Sequence, residues 1–184
     1  EKIGKWLGIE KDMLYVSAGS DGSIKATYEV FVDEGDEVVI LDPTYALYYV
    51  YADMFGANLK RVKFSEKLEF SVDSILSAIS DRTRLVCIAN PNSPTGTLLS
   101  QIDLVRVIKA AREKNAVVLI DEAYYPYHNE TIVGRVNEFD NLIVTRSFTK
   151  AFGLGSARLG FAVSNSYIVG LLKKFRPMYE VNSF

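Results

Sequence analysis

The sequence predicts an α/β domain with a mostly parallel central sheet and helices on both faces. Three observations carry that expectation. Apolar runs of strand length recur at residues 37–41, 84–89 and 116–120, apolar at nearly every position, as strands covered on both sides are. Between them lie segments whose apolar residues repeat at helical spacing. Strand and helix alternate throughout, the order that builds parallel sheets.

Taken in order, Ile3, Trp6 and Leu7 fall on one face of a short helix that Gly8 ends, and residues 13–17 read as an extended segment. After the small residues 18–22, Ile24, Tyr28, Phe31 and Val32 form a helix face, with Ser20 or Asp21 as the N-cap. Strand 37–41 is broken by Asp42-Pro43-Thr44-Tyr45, and a helix through Tyr48, Tyr51, Ala52 and Phe55 closes at Gly56. Residues 58–64 are the next strand. A short helix through Val72, Ile75, Leu76 and Ile79 starts near Ser71, and strand 84–89 follows. Beyond the turn-forming residues 90–96, Ser100 caps a helix with Ile102, Val105, Ile108 and Ala111 on one face. Strand 116–120 ends in Asp121, strands at 141–145 and 158–163 flank Lys150, and a last helix runs through Ile168, Leu171, Leu172 and Phe175.

At 184 residues, 48% hydrophobic and 24% charged, the chain has the composition of one folded domain rather than a disordered segment. A formal net charge of −2 supplies no basic field for nucleic acid. No apolar stretch reaches membrane-spanning length and no signal-peptide pattern opens the chain, so a cytoplasmic location is expected. Cys87, inside an apolar run, reads as a core residue, and His128 as a surface residue in a polar turn. The chain opens in a helical pattern without an initiator methionine, so residues 1–184 are expected to be one domain of a longer protein.

Chemistry concentrates around Lys150, between two expected strands, where a rigid scaffold can hold a functional side chain. Partial burial there would favour a neutral, nucleophilic amine, whereas an ordinary solvated lysine is the plainer alternative. Ser147, Thr149 and Arg158 add the donors and charge that a phosphate dianion needs, and an amine beside a phosphate cradle suggests pyridoxal phosphate. A glycine-preceded helix start near Ser20 and Asp21 is a second seat for phosphate, or a cap alone. Asp121, ending a buried strand, needs a partner; a protonated pyridine nitrogen suits it, as does a capping role in the following turn. Tyr124 lies within reach of such a ring's oxygen. Residues 90–96 follow the carboxyl end of a buried strand, where ligands sit in open α/β sheets. Gly153 and Gly155 give two positions of a dinucleotide fingerprint, but its third falls at Arg158, which disfavours a nicotinamide dehydrogenase.

With Gly19-Ser20-Asp21, Asp42 to Tyr45, Asn90 to Gly96, Asp121 to Tyr124 and Ser147 to Gly160 read together, the chain resembles the large, cofactor-binding domain of fold-type I pyridoxal-phosphate aminotransferases. Within them it is most similar to the histidinol-phosphate aminotransferase branch. The resemblance implies that Lys150 forms the Schiff base with the cofactor, Asp121 pairs with its pyridine nitrogen, Tyr124 bonds its ring oxygen and Tyr45 stacks on the ring. It also implies that Ser20, Asp21, Ser147, Thr149 and Arg158 surround the phosphate. Before Pro-Thr-Gly the family usually has asparagine; here Ser93 stands there with Asn92 before it, so either Ser93 or Asn92 is expected to contact the ring oxygen. The implied activity is amino-group transfer from histidinol phosphate or an aromatic amino acid to a 2-oxo acid such as 2-oxoglutarate, in a homodimer. The alternatives are a decarboxylase of threonine-phosphate type and an inactive isolated domain, because the family's substrate-clamping arginine lies in a smaller domain outside this chain.

Overall fold

Seven strands form one sheet in the computed structural model, which describes residues 1–175. They are β1 (Leu14–Ala18), β2 (Glu37–Asp42), β3 (Asn58–Lys63), β4 (Thr83–Ala89), β5 (Val117–Asp121), β6 (Leu142–Ser147) and β7 (Leu159–Val163). The helices are α1 (Lys2–Leu7), α2 (Gly19–Phe31), α3 (Ala46–Met54), α4 (Val72–Ala78), α5 (Gln101–Glu113) and α6 (Ser166–Lys174). Across the sheet the order is β1-β7-β6-β5-β4-β2-β3. From β3 to β6 every neighbouring pair is parallel, and β7 runs antiparallel to both β6 and β1. The sheet is thus mostly parallel, as expected. The reversal at β7 arises because residues 148–158 contain no helix, so the chain turns back beside β6 instead of crossing over.

The continuous apolar strands divide into two cores by simple alternation. Val39, Leu41, Val86, Ile88, Val118 and Ile120 face one side of the sheet, against α4 and α5. Val38, Ile40, Leu85, Cys87, Val117 and Leu119 face the other, where α2, α3 and α6 pack. The same alternation continues past the apolar residues. It places Asp121, Thr145 and Ser147 on the α2 side, and Glu122 and Arg146 on the α5 side.

Three local expectations change. The second helix begins at Gly19 with Ala18 as its N-cap and no side-chain cap, so Ser20 and Asp21 occupy its first turn rather than precede it. The turn from β1 is made at Gly19, whose φ of 71° lies in the left-handed region glycine enters without strain, and Gly19 N–H donates to the Arg158 carbonyl at 3.0 Å. In α5 the buried face is Leu104, Val107, Ile108 and Ala111, whereas Ile102 is 76% exposed. A strict three-residue step walks around a helix of 3.6 residues per turn; the i, i+3, i+4, i+7 set does not. Similarly α6 buries Ile168, Val169 and Leu172 and leaves Phe175 exposed. The expected caps at Ser71 and Ser100 form, each accepting a first-turn N–H, from Asp73 and Asp103.

Candidate functional site

A cleft of about 200 Å3 opens where the carboxyl ends of β4, β5 and β6 meet the start of α2. Ser20, Asp21, Tyr45, Ser93, Asp121, Tyr124, Ser147, Thr149, Lys150 and Arg158 all line it. Ten side chains from separate stretches of sequence therefore share one wall-to-wall site. Asn92 is the exception and does not line it. It is buried, its Oδ1 accepts from the Thr44 hydroxyl at 2.7 Å, and its Nδ2 donates to the Pro43 carbonyl and the Thr95 hydroxyl at 3.0 and 2.8 Å. With its amide group committed on both ends, Asn92 shapes the loop, and Ser93 is the residue that faces the cleft.

Asp121 forms the floor. It is 4% exposed, and its Oδ1 accepts from the Thr145 hydroxyl at 2.8 Å and the Ala123 N–H at 3.1 Å. The second bond is the capping role, so Asp121 both caps its turn and faces the cleft. Burial pushes its carboxyl up to about 7; the Thr145 and Ala123 bonds oppose the rise, and the charges of Asp21 and Glu122 add to it. Among the described residues no cation pairs with it and no hydrogen bond reaches Oδ2. A buried acid of this kind is complementary to a protonated ring nitrogen.

The start of α2 and residues 147–158 bring to the same cleft groups able to hold an anion. By helix geometry the N–H groups of Ser20 and Asp21 have no partner within α2, and the helix dipole adds positive potential. Ser147 and Thr149 hydroxyls lie 2.7 Å apart, and the Thr149 N–H donates to Ser147 Oγ at 3.2 Å. Arg158 holds a left-handed backbone at φ 47°, which is uncommon for a side-chain-bearing residue and aims its guanidinium at the Asp21 carboxylate, 3.0 Å away. Asp21 Oδ1 also accepts from the Tyr45 hydroxyl at 2.7 Å. The Asp21 carboxylate thus orients Arg158 and Tyr45, and only its N–H can serve an anion. Burial, reinforced by that bond to Asp21, raises the Tyr45 phenol above its ordinary value. Gly160 makes this arrangement possible, because a Cβ there would collide with the backbone of Gly19 and Ser20.

Lys150 departs from its expected setting. It is exposed at the rim rather than partly buried. The reason is its place in residues 148–158, which turn back at the end of β6 without forming a helix. It is nevertheless aimed: its Nζ lies 5.5 Å from the centre of the Tyr124 ring, and no carboxylate among the described residues engages it. Reading the sequence also missed Thr145, although its spacing of two from Ser147 puts both on the cleft face, and the buried Glu122–Arg146 pair behind the floor. His128 lies half-buried outside this cleft, its Nδ1 accepting from Glu130 N–H at 3.2 Å.

The family model for class I and II aminotransferases matches residues 1–183. A histidinol-phosphate aminotransferase of Thermoanaerobacter sp. is 36% identical over 184 residues, covering 100% of this chain and 52% of the relative. Its counterpart in Methanocaldococcus jannaschii is 34% identical, covering 98% and 49%. Among solved structures, the histidinol-phosphate aminotransferase of Clostridium acetobutylicum superposes with a TM-score of 0.85 at 27% identity, covering 98% of this chain and 54% of that one. That of Sinorhizobium meliloti, in complex with pyridoxal-5′-phosphate, gives 0.85 at 25% identity, covering 95% and 48%. The chain spans about half the length of the curated relatives it matches.

Proposed function

This chain belongs to the class I and II aminotransferases, and from that premise we propose that it binds pyridoxal 5′-phosphate and serves amino-group transfer from histidinol phosphate to 2-oxoglutarate. The observation that carries the reading is Asp121, a buried acid with no cation paired to it among the described residues, sharing one cleft with a lysine and the groups of an anion seat. The residues present fit the cofactor. Asp121 Oδ2 would take the ring N–H, and the Ser20 and Asp21 N–H groups with Ser147, Thr149 and Arg158 would hold the phosphate. Ser93 and Tyr124 would reach the ring oxygen, Tyr45 would cover a ring face, and Lys150 would offer its amine to the aldehyde.

When bound, the cofactor supplies a sink for the electrons released at a substrate α-carbon. Asp121 favours that role by keeping its ring partner protonated. Lys150 Nζ, 5.5 Å from the centre of the Tyr124 ring and unpaired with any carboxylate among the described residues, would carry the α-proton. The substrate assignment rests on the relatives' names, and the protein is read as a cytoplasmic homodimer in which this chain is the cofactor-binding domain and the substrate-clamping residues lie elsewhere. No helix among the described residues is long and apolar enough to cross a membrane.

The test is product analysis on the full-length, cofactor-loaded protein. Glutamate formed from histidinol phosphate and 2-oxoglutarate supports the proposal. Glutamate formed only with phenylalanine would replace the donor, and carbon dioxide released from threonine phosphate would replace the reaction.

A further inference from the structure

Directly behind the cleft floor, on the opposite face of the sheet, lies an ion pair that the proposed chemistry leaves unused. Glu122 and Arg146 are 2% and 3% exposed. Glu122 Oε2 accepts from Arg146 Nε and Nη2 at 3.0 and 2.9 Å, and Oε1 accepts from the Ile132 N–H at 2.8 Å. The Thr131 hydroxyl sits between them, 2.7 Å from both Glu122 Oε2 and Arg146 Nη2. The guanidinium lies 3.5 Å from the centre of the Tyr125 ring and 5.7 Å from that of Trp6. One pair therefore binds β5, β6, residues 125–132 and α1 into a single block.

Stability alone is a weak reason for such a pair, since apolar residues of similar volume often do as well in a core. Position is a better one. Glu122 follows Asp121 and Arg146 precedes Ser147, and alternation sends neighbours in an extended chain to opposite faces. The backbone reinforces the link, with Glu122 N–H donating to the Thr145 carbonyl at 2.8 Å and the Thr145 hydroxyl donating to Asp121. Shifting the pair must shift the residues proposed to hold the two ends of the cofactor. We propose that Glu122 and Arg146 are positioning residues that lock the carboxyl ends of β5 and β6 together and so fix the spacing of Asp121 and Ser147. The inference rests on the pyridoxal phosphate reading.

The test is absorbance titration of the full-length protein with pyridoxal phosphate, alongside its thermal midpoint. The double variant Glu122→Gln/Arg146→Met removes both charges and leaves neither buried alone. It should fold and bind the cofactor at least about tenfold more weakly, the scale by which displaced supporting groups lower affinity. Arg146→Lys keeps the charge but loses the two-point fork, and should fall between the double variant and the parent. Ile108→Val, a core change on the same face that lowers the midpoint, should bind as the parent does. The proposal is overturned if the folded double variant binds within about threefold of the parent, a difference worth less than one hydrogen bond. It is overturned equally if neither pair variant folds, because the pair is then a folding element. If the parent itself binds no cofactor, the functional reading fails and this inference fails with it.

Discussion

Replacing Asp121 by asparagine should make the cofactor-free protein more stable above neutral pH while removing its hold on pyridoxal phosphate. The shape is unchanged, and the amide oxygen of the new side chain could still accept from the Thr145 hydroxyl and the Ala123 N–H. What changes is the cost of a buried charge. The carboxyl titrates near 7 in the folded chain against an ordinary 3.8, and burial is the main cause. Because the folded value is the raised one, the folded state binds the extra proton. The contribution is fully present below about pH 4, declines as pH rises, and is lost above about pH 7. At about 1.4 kcal/mol per pH unit the gap amounts to about 4 kcal/mol, and to about 2 kcal/mol if water entering the cleft solvates Oδ2. Urea unfolding of parent and Asp121→Asn at pH 4 and pH 8 measures it. The two proteins should be close in stability at the lower pH, and the variant should lead by about 2–4 kcal/mol at the higher. A variant that is equally or less stable at pH 8 would show that Asp121 is not held against its ionisation, and the argument for a missing cation would go with it.

Gly160→Ala should cost at least about 3 kcal/mol in denaturant unfolding, because its Cβ meets backbone of Gly19 that has no room to retreat; a fully stable variant would refute the close approach of β7 and α2. Arg158→Gly relieves about 1 kcal/mol of left-handed strain while giving up a half-exposed ion pair worth about as much, so stability should hardly move while cofactor affinity falls. Asn92→Ala should lower stability by about 1–3 kcal/mol, since it strands the Thr44 hydroxyl and the Pro43 carbonyl. Ser93→Ala should instead leave unfolding unchanged and weaken cofactor binding by about three- to tenfold, the worth of one hydrogen bond. The reverse pattern in the last two variants would restore Asn92 to the cleft.

Strand positions and the grouping of site residues were legible because both follow local rules. The apolar runs at 37–41 and 116–120 are apolar on both faces, and the residues that end or follow such runs collect at one edge of a parallel sheet. What escaped depends on tertiary packing. No local signal marks β7 as antiparallel, since direction is decided by whether residues 148–158 cross the sheet or turn back beside it. The exposure of Lys150 depends on what covers those residues, which their own sequence does not state. That Asn92 is tied to Thr44, Pro43 and Thr95 while Ser93 lines the cleft depends on contacts that were not visible along the chain. The Glu122–Arg146 pair could have been suspected from the alternation rule, because each residue neighbours a cleft residue and must point the other way.

The central claim is that one amine in this chain bonds the cofactor. Loading the protein with pyridoxal phosphate, reducing it with borohydride and sequencing its peptides by mass spectrometry tests that claim without any substrate. The account predicts the reduced cofactor on Lys150, and no labelled peptide from Lys150→Ala. Label on a different lysine of a folded, loaded protein, or an unlabelled Lys150, would contradict it.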